Sequence, residues 1–185
     1  MNAATRDDGV GLWSAWREVA ADPAVDTALR GLYAELDAAI AAKGPKCWSS
    51  GKCCKFDDFG HRLYVTGLEI AWFLGEVRSV KSEIGGDETG AEIRLPQLSE
   101  LSTPRPGGAC PYQIDGLCST HTIRPLGCRI FFCQQGTQAW QQDLYEDYLK
   151  RLQTLHDQHG LEYRYMDWIA GLSDCADASS SQSKT

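Results

Sequence analysis

The chain has 185 residues, of which 43% are apolar, and it carries a formal net charge of −7. This length suits one domain with extensions, and the apolar fraction can build a core without disulfide or metal staples. The acidic balance excludes nucleic-acid binding through a broad basic face, because such a charge repels phosphate groups.

The N-terminal segment carries Asp7 and Asp8 and has no apolar run of signal-peptide length. No segment reaches the roughly 18 apolar residues of a membrane span, so neither export nor membrane insertion is predicted. The predicted compartment is the cytoplasm, where thiols stay reduced. Eight cysteines in such a compartment indicate metal binding or redox chemistry.

The N-terminal part, residues 11–44, has the periodicity of two helices. Asp22 and Pro23 interrupt the pattern and restart it, since aspartate can cap a helix and proline suits its first position. Gly44 followed by Pro45 ends the second helix. Its apolar residues fall on one stripe: Val25, Leu29, Leu32, Leu36 and Ile40.

The middle part, residues 45–136, is less regular. A short strand is predicted over 61–65, and Thr66 with Glu69 matches a capping box at the start of a buried helix. Residues 79–108 are rich in Gly, Ser, Pro and charge, which predicts a loop-like insert with a short strand at 92–95.

The C-terminal part begins with a long amphipathic helix after Gly136, which ends at Gly160. A short strand and a short helix are predicted to follow. We expect an N-terminal helical extension (1–44), a cysteine-cluster metal-binding domain (45–136), a helical segment packed on it (137–172) and a disordered tail (173–185). The predicted fold is α+β and mostly α, with amphipathic helices around an irregular cysteine-rich metal-binding centre.

Seven of the eight cysteines fall in the middle part: Cys47, Cys53, Cys54, Cys110, Cys118, Cys128 and Cys133. Thiolates are soft ligands that suit zinc, copper(I) and iron–sulfur clusters, whereas calcium and magnesium prefer oxygen. The alternative to metal binding is that these cysteines are buried thiols with a purely structural role. The adjacent pair beside a glycine turn, with a Cys-Pro and a Cys-Arg further on, favours metal binding. Cys175, in the polar tail, is not expected to be a ligand.

The first cysteine group surrounds a Ser-Ser-Gly turn, in which Gly51 can adopt positive φ and let Cys47 fold back. The adjacent Cys53 and Cys54 are expected to point in different directions. They would then serve two metal ions, or one ion and a second role.

The second cysteine group contains an Asp115-Gly116 turn, which predicts a small hairpin that brings Cys110 and Cys118 together. The two groups are expected to meet in space.

Arginine and histidine residues flank the second group. Arg124 and Arg129 are candidate cofactor-binding residues, because a guanidinium group can donate hydrogen bonds to sulfur and offset the charge of clustered thiolates. The alternative is that Arg124 and Arg129 only form ordinary ion pairs on the protein surface. His121 and His61 are either additional ligands or solvated loop residues.

These motifs resemble those of a known family. The stretch CWSSGKCC, residues 47–54, resembles CxxCGxCC, and Ser50 stands where that family usually has its second cysteine. The segments CPY (110–112), GLCSTH (116–121) and RPLGCR (124–129) resemble CPxL…GxCxIYxxRPxxCR, with His121 where Tyr is common. Residues 45–135 are therefore similar to the YkgJ-type, zinc- or iron-chelating family, to which the cysteine region of flagellin lysine methylases is related. The resemblance implies metal chelation by the matched cysteines.

Three functional hypotheses follow. The first is a protein that chelates zinc or iron, as an ion or an iron–sulfur cluster, through cysteine thiolates. Each such centre takes about four ligands, so seven cysteines exceed one site. The second is a cluster-dependent redox or group-transfer enzyme, although no glycine-rich nucleotide motif is present. The third is a metal-stapled adaptor that binds a protein partner through helices 23–43 and 137–159. No nucleic-acid or membrane partner is predicted.

Overall fold

A computed structural model describes residues 7–48, 50–84 and 95–182. Within these ranges the chain forms six α-helices and four short strands, which confirms the predicted mostly-α α+β class. The helices are α1 (Asp7–Ala20), α2 (Pro23–Lys43), α3 (Gly67–Ile84), α4 (Leu126–Ile130), α5 (Gln138–Gln158) and α6 (Trp168–Gln182). The strands are β1 (Tyr64–Thr66), β2 (Gln113–Ile114), β3 (Leu117–Cys118) and β4 (Tyr165–Asp167).

The corner between α1 and α2 forms where the sequence predicts it. The Asp22 carboxylate accepts a hydrogen bond from the Ala24 amide at 2.8 Å, and Pro23 occupies the first helical position. Gly44 ends α2 in the left-handed conformation, with φ of 62°. The apolar stripe of α2 is buried, as expected.

The N-terminal helices are part of the main core. Trp16 of α1 is buried, and its ring lies so close to Gly67 of α3 that a Cβ there would approach it to 2.5 Å. The Trp16 Nε1–H also donates to the carbonyl of Glu162 at 3.0 Å. One apolar cluster therefore joins residues of α1, α2, α3, α5 and α6.

Strand β1 pairs with β4 in an antiparallel ribbon, with Val65 opposite Met166. The capping box that follows β1 is confirmed, since the Glu69 amide donates to Thr66 Oγ1 at 3.3 Å and Glu69 Oε2 accepts from the Thr66 amide at 2.8 Å. The ribbon brings the start of α3 and the start of α6 together beside the cysteine loops.

Two segments differ from the prediction. Helix α3 continues to Ile84, so the loop-like insert begins later than residue 79; most of the strand predicted at 92–95 lies outside the described residues. Helix α6 continues to Gln182, where disorder was predicted from residue 173. Leu172, Cys175 and Ala176 are buried, because helical spacing places them together on the core. Residues 183–185 lie outside the described part.

Across the residues that the structure describes, no helix combines the length and the apolar character needed to cross a membrane.

Candidate functional site

The two cysteine-bearing loops lie side by side. The Cys110 amide donates to the Cys54 carbonyl at 2.7 Å, and the Gln113 Nε2 donates to the Gly51 carbonyl at 2.8 Å. A β-bridge also joins Lys55 to Ala109. Hydrogen bonds from the backbone and from the Gln113 side chain thus hold the first cysteine group against the second, so the expected meeting of the two groups is observed.

Glycine turns make this close approach possible. Gly51 has φ of 68°, and a Cβ on it would lie 2.2 Å from the carbonyl oxygen of Gly116. Gly116 itself has φ of 79° and closes the predicted hairpin between β2 and β3 together with Asp115, whose φ is 49°. The two turns pack directly on each other, backbone against backbone.

One cavity of about 290 Å³ opens between the loops. All seven cysteines of the middle part line it. Five of them are buried or half-buried, and we call these the inner thiols: Cys53, Cys54, Cys110, Cys118 and Cys128. Cys47 and Cys133 are exposed at the mouth, and Cys175 does not line the cavity.

The adjacent cysteines do not point apart as predicted. The Sγ atoms of Cys53 and Cys54 are 3.9 Å apart, because residues Lys52–Cys54 form a 3₁₀ turn instead of an extended strand. This separation is close to the edge, about 3.8 Å, of a tetrahedron with metal–sulfur bonds of about 2.3 Å. Cys54 also interacts with Cys118 of the second group, and we call Cys53, Cys54 and Cys118 the trio.

Hydrogen bonding within this trio separates the thiol acidities. The hydrogen bond from Cys54 lowers the pKa of Cys118 to about 6 and the pKa of Cys53 to about 7. The same interactions, together with burial, raise the pKa of Cys54. Cys53 and Cys118 are therefore more acidic than Cys54, and a metal that bound all three would displace the proton of Cys54.

Burial is the main influence on the pKa values of the other two inner thiols, Cys110 and Cys128. It raises the pKa of Cys110 to about 11, although the Trp168 Nε1–H donates to Cys110 Sγ at 3.3 Å and works in the opposite direction. It raises the pKa of Cys128 well above its ordinary value. Sequence reasoning missed the Trp168 contact, because β4 and α6 reach the candidate site only through tertiary packing.

The two arginines occupy different positions. Arg124 lines the cavity, and its Nε and Nη1 donate to the carbonyls of His121 at 2.8 Å and Cys128 at 3.2 Å. Arg129 is buried away from the cavity, where it pairs with Asp37 at 2.7 Å and donates to the carbonyl of Thr122. Within the described residues neither guanidinium donates to a cysteine sulfur; both hold backbone around Cys128 instead.

Both candidate histidines line the cavity. The His61 ring stacks on Phe131 with centroids 4.8 Å apart, and its Nε2 lies 3.3 Å from the Cys53 carbonyl. His121 is more exposed and sits at the start of a 3₁₀ turn that leads to Arg124. His61 is thus part of the cavity wall, packed against Phe56 as well.

Glu69 connects the site to the core. Its carboxylate, buried in α3, accepts hydrogen bonds from the Leu126 amide at 2.8 Å and the Tyr33 hydroxyl at 3.0 Å, besides closing the capping box. The Leu126 amide is the first of α4, so this bond fixes the helix that carries Cys128. The sequence identified Glu69 as a capping residue but gave no sign of this second role.

In the described part of the chain, no three His, Cys, Asp or Glu side chains already form a group that could hold a metal ion. No protein-family model matches the chain, and neither the curated proteins nor the solved structures contain a match. The resemblance to the YkgJ-type family therefore stays a prediction that rests on the motifs quoted above.

Proposed function

We propose that this protein binds zinc or iron through its inner thiols, in the manner of the YkgJ-type family that its motifs resemble. The observation that carries the proposal is the convergence of all seven cysteines of the middle part on one cavity. Soft sulfur donors in a cavity whose described lining contains no Asp or Glu suit zinc, iron or an iron–sulfur cluster.

The donor set fits such a centre in number and surroundings. The trio of Cys53, Cys54 and Cys118 supplies three sulfurs, and Cys110 or Cys128 can supply the fourth that a tetrahedral zinc or an iron–sulfur cluster requires. Because the donors are not grouped for a metal as they stand, side-chain rotation about Cα–Cβ bonds must accompany binding. All eight cysteines are free of disulfide bonds, as ligands must be.

Two residues that are not ligands support the proposed thiolate ligands: Trp168 affects the charge of one, and Glu69 affects the position of another. The Trp168 Nε1–H supports negative charge on Cys110, since a donor to sulfur favours the ionised form. Glu69 fixes α4 and with it the backbone of Cys128. The proposal also assigns the protein to a reducing compartment such as the cytoplasm, where these thiols stay available.

Metal analysis of anaerobically purified protein tests the proposal. We expect at least one zinc or iron per chain, with sulfur-to-iron absorption if the metal is iron. Cys54→Ser and Cys118→Ser should each lower the metal content, because one lost thiolate opens the coordination shell. Cys175→Ala is the matched control, since this buried thiol lies outside the cavity. Chains purified with full thiol content but without metal, which also fail to take up zinc or iron, would contradict the proposal.

A second candidate is a redox or group-transfer enzyme that uses the same thiols. The lowered pKa values of Cys118, to about 6, and Cys53, to about 7, favour it, because a thiolate in an open cavity is the reactive form. Reversible redox titration of the metal-loaded protein tests this role; a site without a measurable potential would exclude it. The metal-stapled adaptor stays a third candidate; the apolar stripe of α2 and four residues of α5 are buried in the protein's own core, so a partner would have to use the remaining faces of these helices.

A further inference from the structure

The cavity beside the inner thiols has more apolar surface than a closed metal site needs. Its volume of about 290 Å³ is near the lower end of small-molecule pockets, which span about 300–1,000 Å³. Three large apolar side chains in its lining are exposed: Trp48, Leu117 and Phe131. Exposed apolar groups gathered in a concave site indicate a binding surface.

One wall of the cavity is aromatic and already ordered. Phe131 and His61 stack with an interplanar angle of 11°, and Phe56 meets the His61 ring edge-on with centroids 5.4 Å apart. Trp48, with 63% of its surface exposed, stands at the mouth. A flat aromatic body can be buried against such a wall, since ring contacts add to the burial of apolar area.

The charge of the lining contrasts with that of the molecule. The net charge is −7, yet apart from the acidic thiols the charged side chains among the described lining residues are Lys46, Arg62 and Arg124, and none is Asp or Glu. Arg62 pairs with Asp57 at 3.1 Å. Within the described residues, neither Lys46 nor Arg124 forms an ion pair with a carboxylate.

Arg124 acts electrostatically on the thiols, but its hydrogen bonds do not go to them. Arg124 directs two N–H groups to backbone carbonyls and none to sulfur, and Lys46 lies at the exposed mouth. Within the described residues no carboxylate pairs with Lys46 or Arg124, so both cations remain open to an anionic ligand.

We propose that the cavity binds a small organic anion, an aromatic body with one carboxylate. The ring would pack against Phe131 and His61, and the carboxylate would accept charge-assisted hydrogen bonds from Arg124 and Lys46. This inference goes beyond metal binding and does not depend on a metal in the site.

Calorimetric titration of the full-length, reduced protein with 2-naphthoate and 2-naphthamide tests the proposal, because the two probes share a ring system and differ in charge. We expect 2-naphthoate to bind about tenfold more tightly, the gain of a charge-assisted hydrogen bond. Arg124→Gln and Lys46→Gln should each reduce this preference, whereas Phe131→Ala should weaken both probes. Arg151→Gln, on the surface beside Glu35, is the control that should change neither affinity.

Two results would overturn the inference. One is equal affinity for the two probes, or no binding of either at millimolar concentration. The other is a preference for the anion that appears only after loading with zinc, since the metal would then be the carboxylate's partner. A protein that binds 2-naphthoate but takes up no metal would contradict the proposed metal function and leave this inference standing.

Discussion

At the scale of single residues, the site depends on positions where a side chain is excluded. Gly51 and Gly116 both have positive φ, but only Gly51 faces the other loop. A Cβ at Gly51 would meet the Gly116 carbonyl at 2.2 Å, whereas a Cβ at Gly116 would meet nothing within 4 Å. Comparing a substitution at Gly51 with one at Gly116 therefore distinguishes the effect of backbone strain, which both share, from the effect of lost contact between the loops, which only Gly51 would show.

Gly51→Ala should weaken metal binding and stability more than Gly116→Ala does. Both changes place alanine in the left-handed region, which costs about 1–2 kcal/mol. Only Gly51→Ala also forces the two cysteine loops apart. Metal content and denaturant unfolding of the two variants measure the difference. Equal losses in both variants would mean that contact between the loops is unimportant.

At the scale of elements, the short helix α4 is held from outside itself. It has only five residues and no side-chain cap of its own. The Glu69 carboxylate of α3 accepts from its first amide, and Arg129 ties its last turn to Asp37 of α2. Two long helices thus fix the orientation of α4, and Cys128 on it faces the cavity as a result.

Glu69→Gln should loosen α4 and lower both stability and metal content. A glutamine offers one acceptor oxygen where the carboxylate serves the amides of Leu126 and Thr66 and the Tyr33 hydroxyl. Loss of a buried hydrogen bond to a charged acceptor costs about 1.5–3 kcal/mol. Denaturant unfolding measures this cost, with Glu76→Gln, which removes an ion pair to Arg30 on the surface, as the control. If the Glu69→Gln protein is as stable as the Glu76→Gln protein, Glu69 does not hold α4 in place.

At the scale of the whole molecule, one core connects the N-terminal helices, the cysteine loops and α6. His156, near the end of α5, lies inside this core with 0% exposure. Within the described structure neither of its ring nitrogens has a hydrogen-bond partner, and its ring meets Tyr163 edge-on. Burial lowers the pKa of His156, because the charged imidazolium would lose its hydration.

Stability should therefore fall in acid through His156. The unfolded chain takes up a proton near the ordinary histidine pKa of about 6.5, whereas the folded chain resists it. Below about pH 6.5 the free energy of unfolding should decrease by up to about 1.4 kcal/mol per pH unit from this group, until the folded pKa is reached.

Denaturant unfolding between pH 7.5 and pH 5, with His156→Phe and His159→Gln for comparison, checks this expectation. His156→Phe should flatten the dependence, and His159→Gln, at an exposed position, should keep it. An unchanged slope in His156→Phe would assign the acid sensitivity to other groups.

Local sequence rules predicted the elements whose causes are local. The Asp22–Pro23 helix start, the Gly44 stop, the Thr66–Glu69 capping box and the Asp115–Gly116 hairpin each depend on residues within a few positions of one another. The sequence also determined which thiols are candidates, since their spacing and neighbours distinguish them from Cys175. These features need no knowledge of the tertiary structure.

Tertiary packing alone decided the rest. The Trp168 donor to Cys110 and the burial of Cys175 both depend on contacts between segments far apart in the chain. The aromatic cavity likewise exists only once the loops meet. Apolar burial and backbone hydrogen bonding act between any segments that folding brings close. A local sequence pattern does not show which distant segments will be in contact.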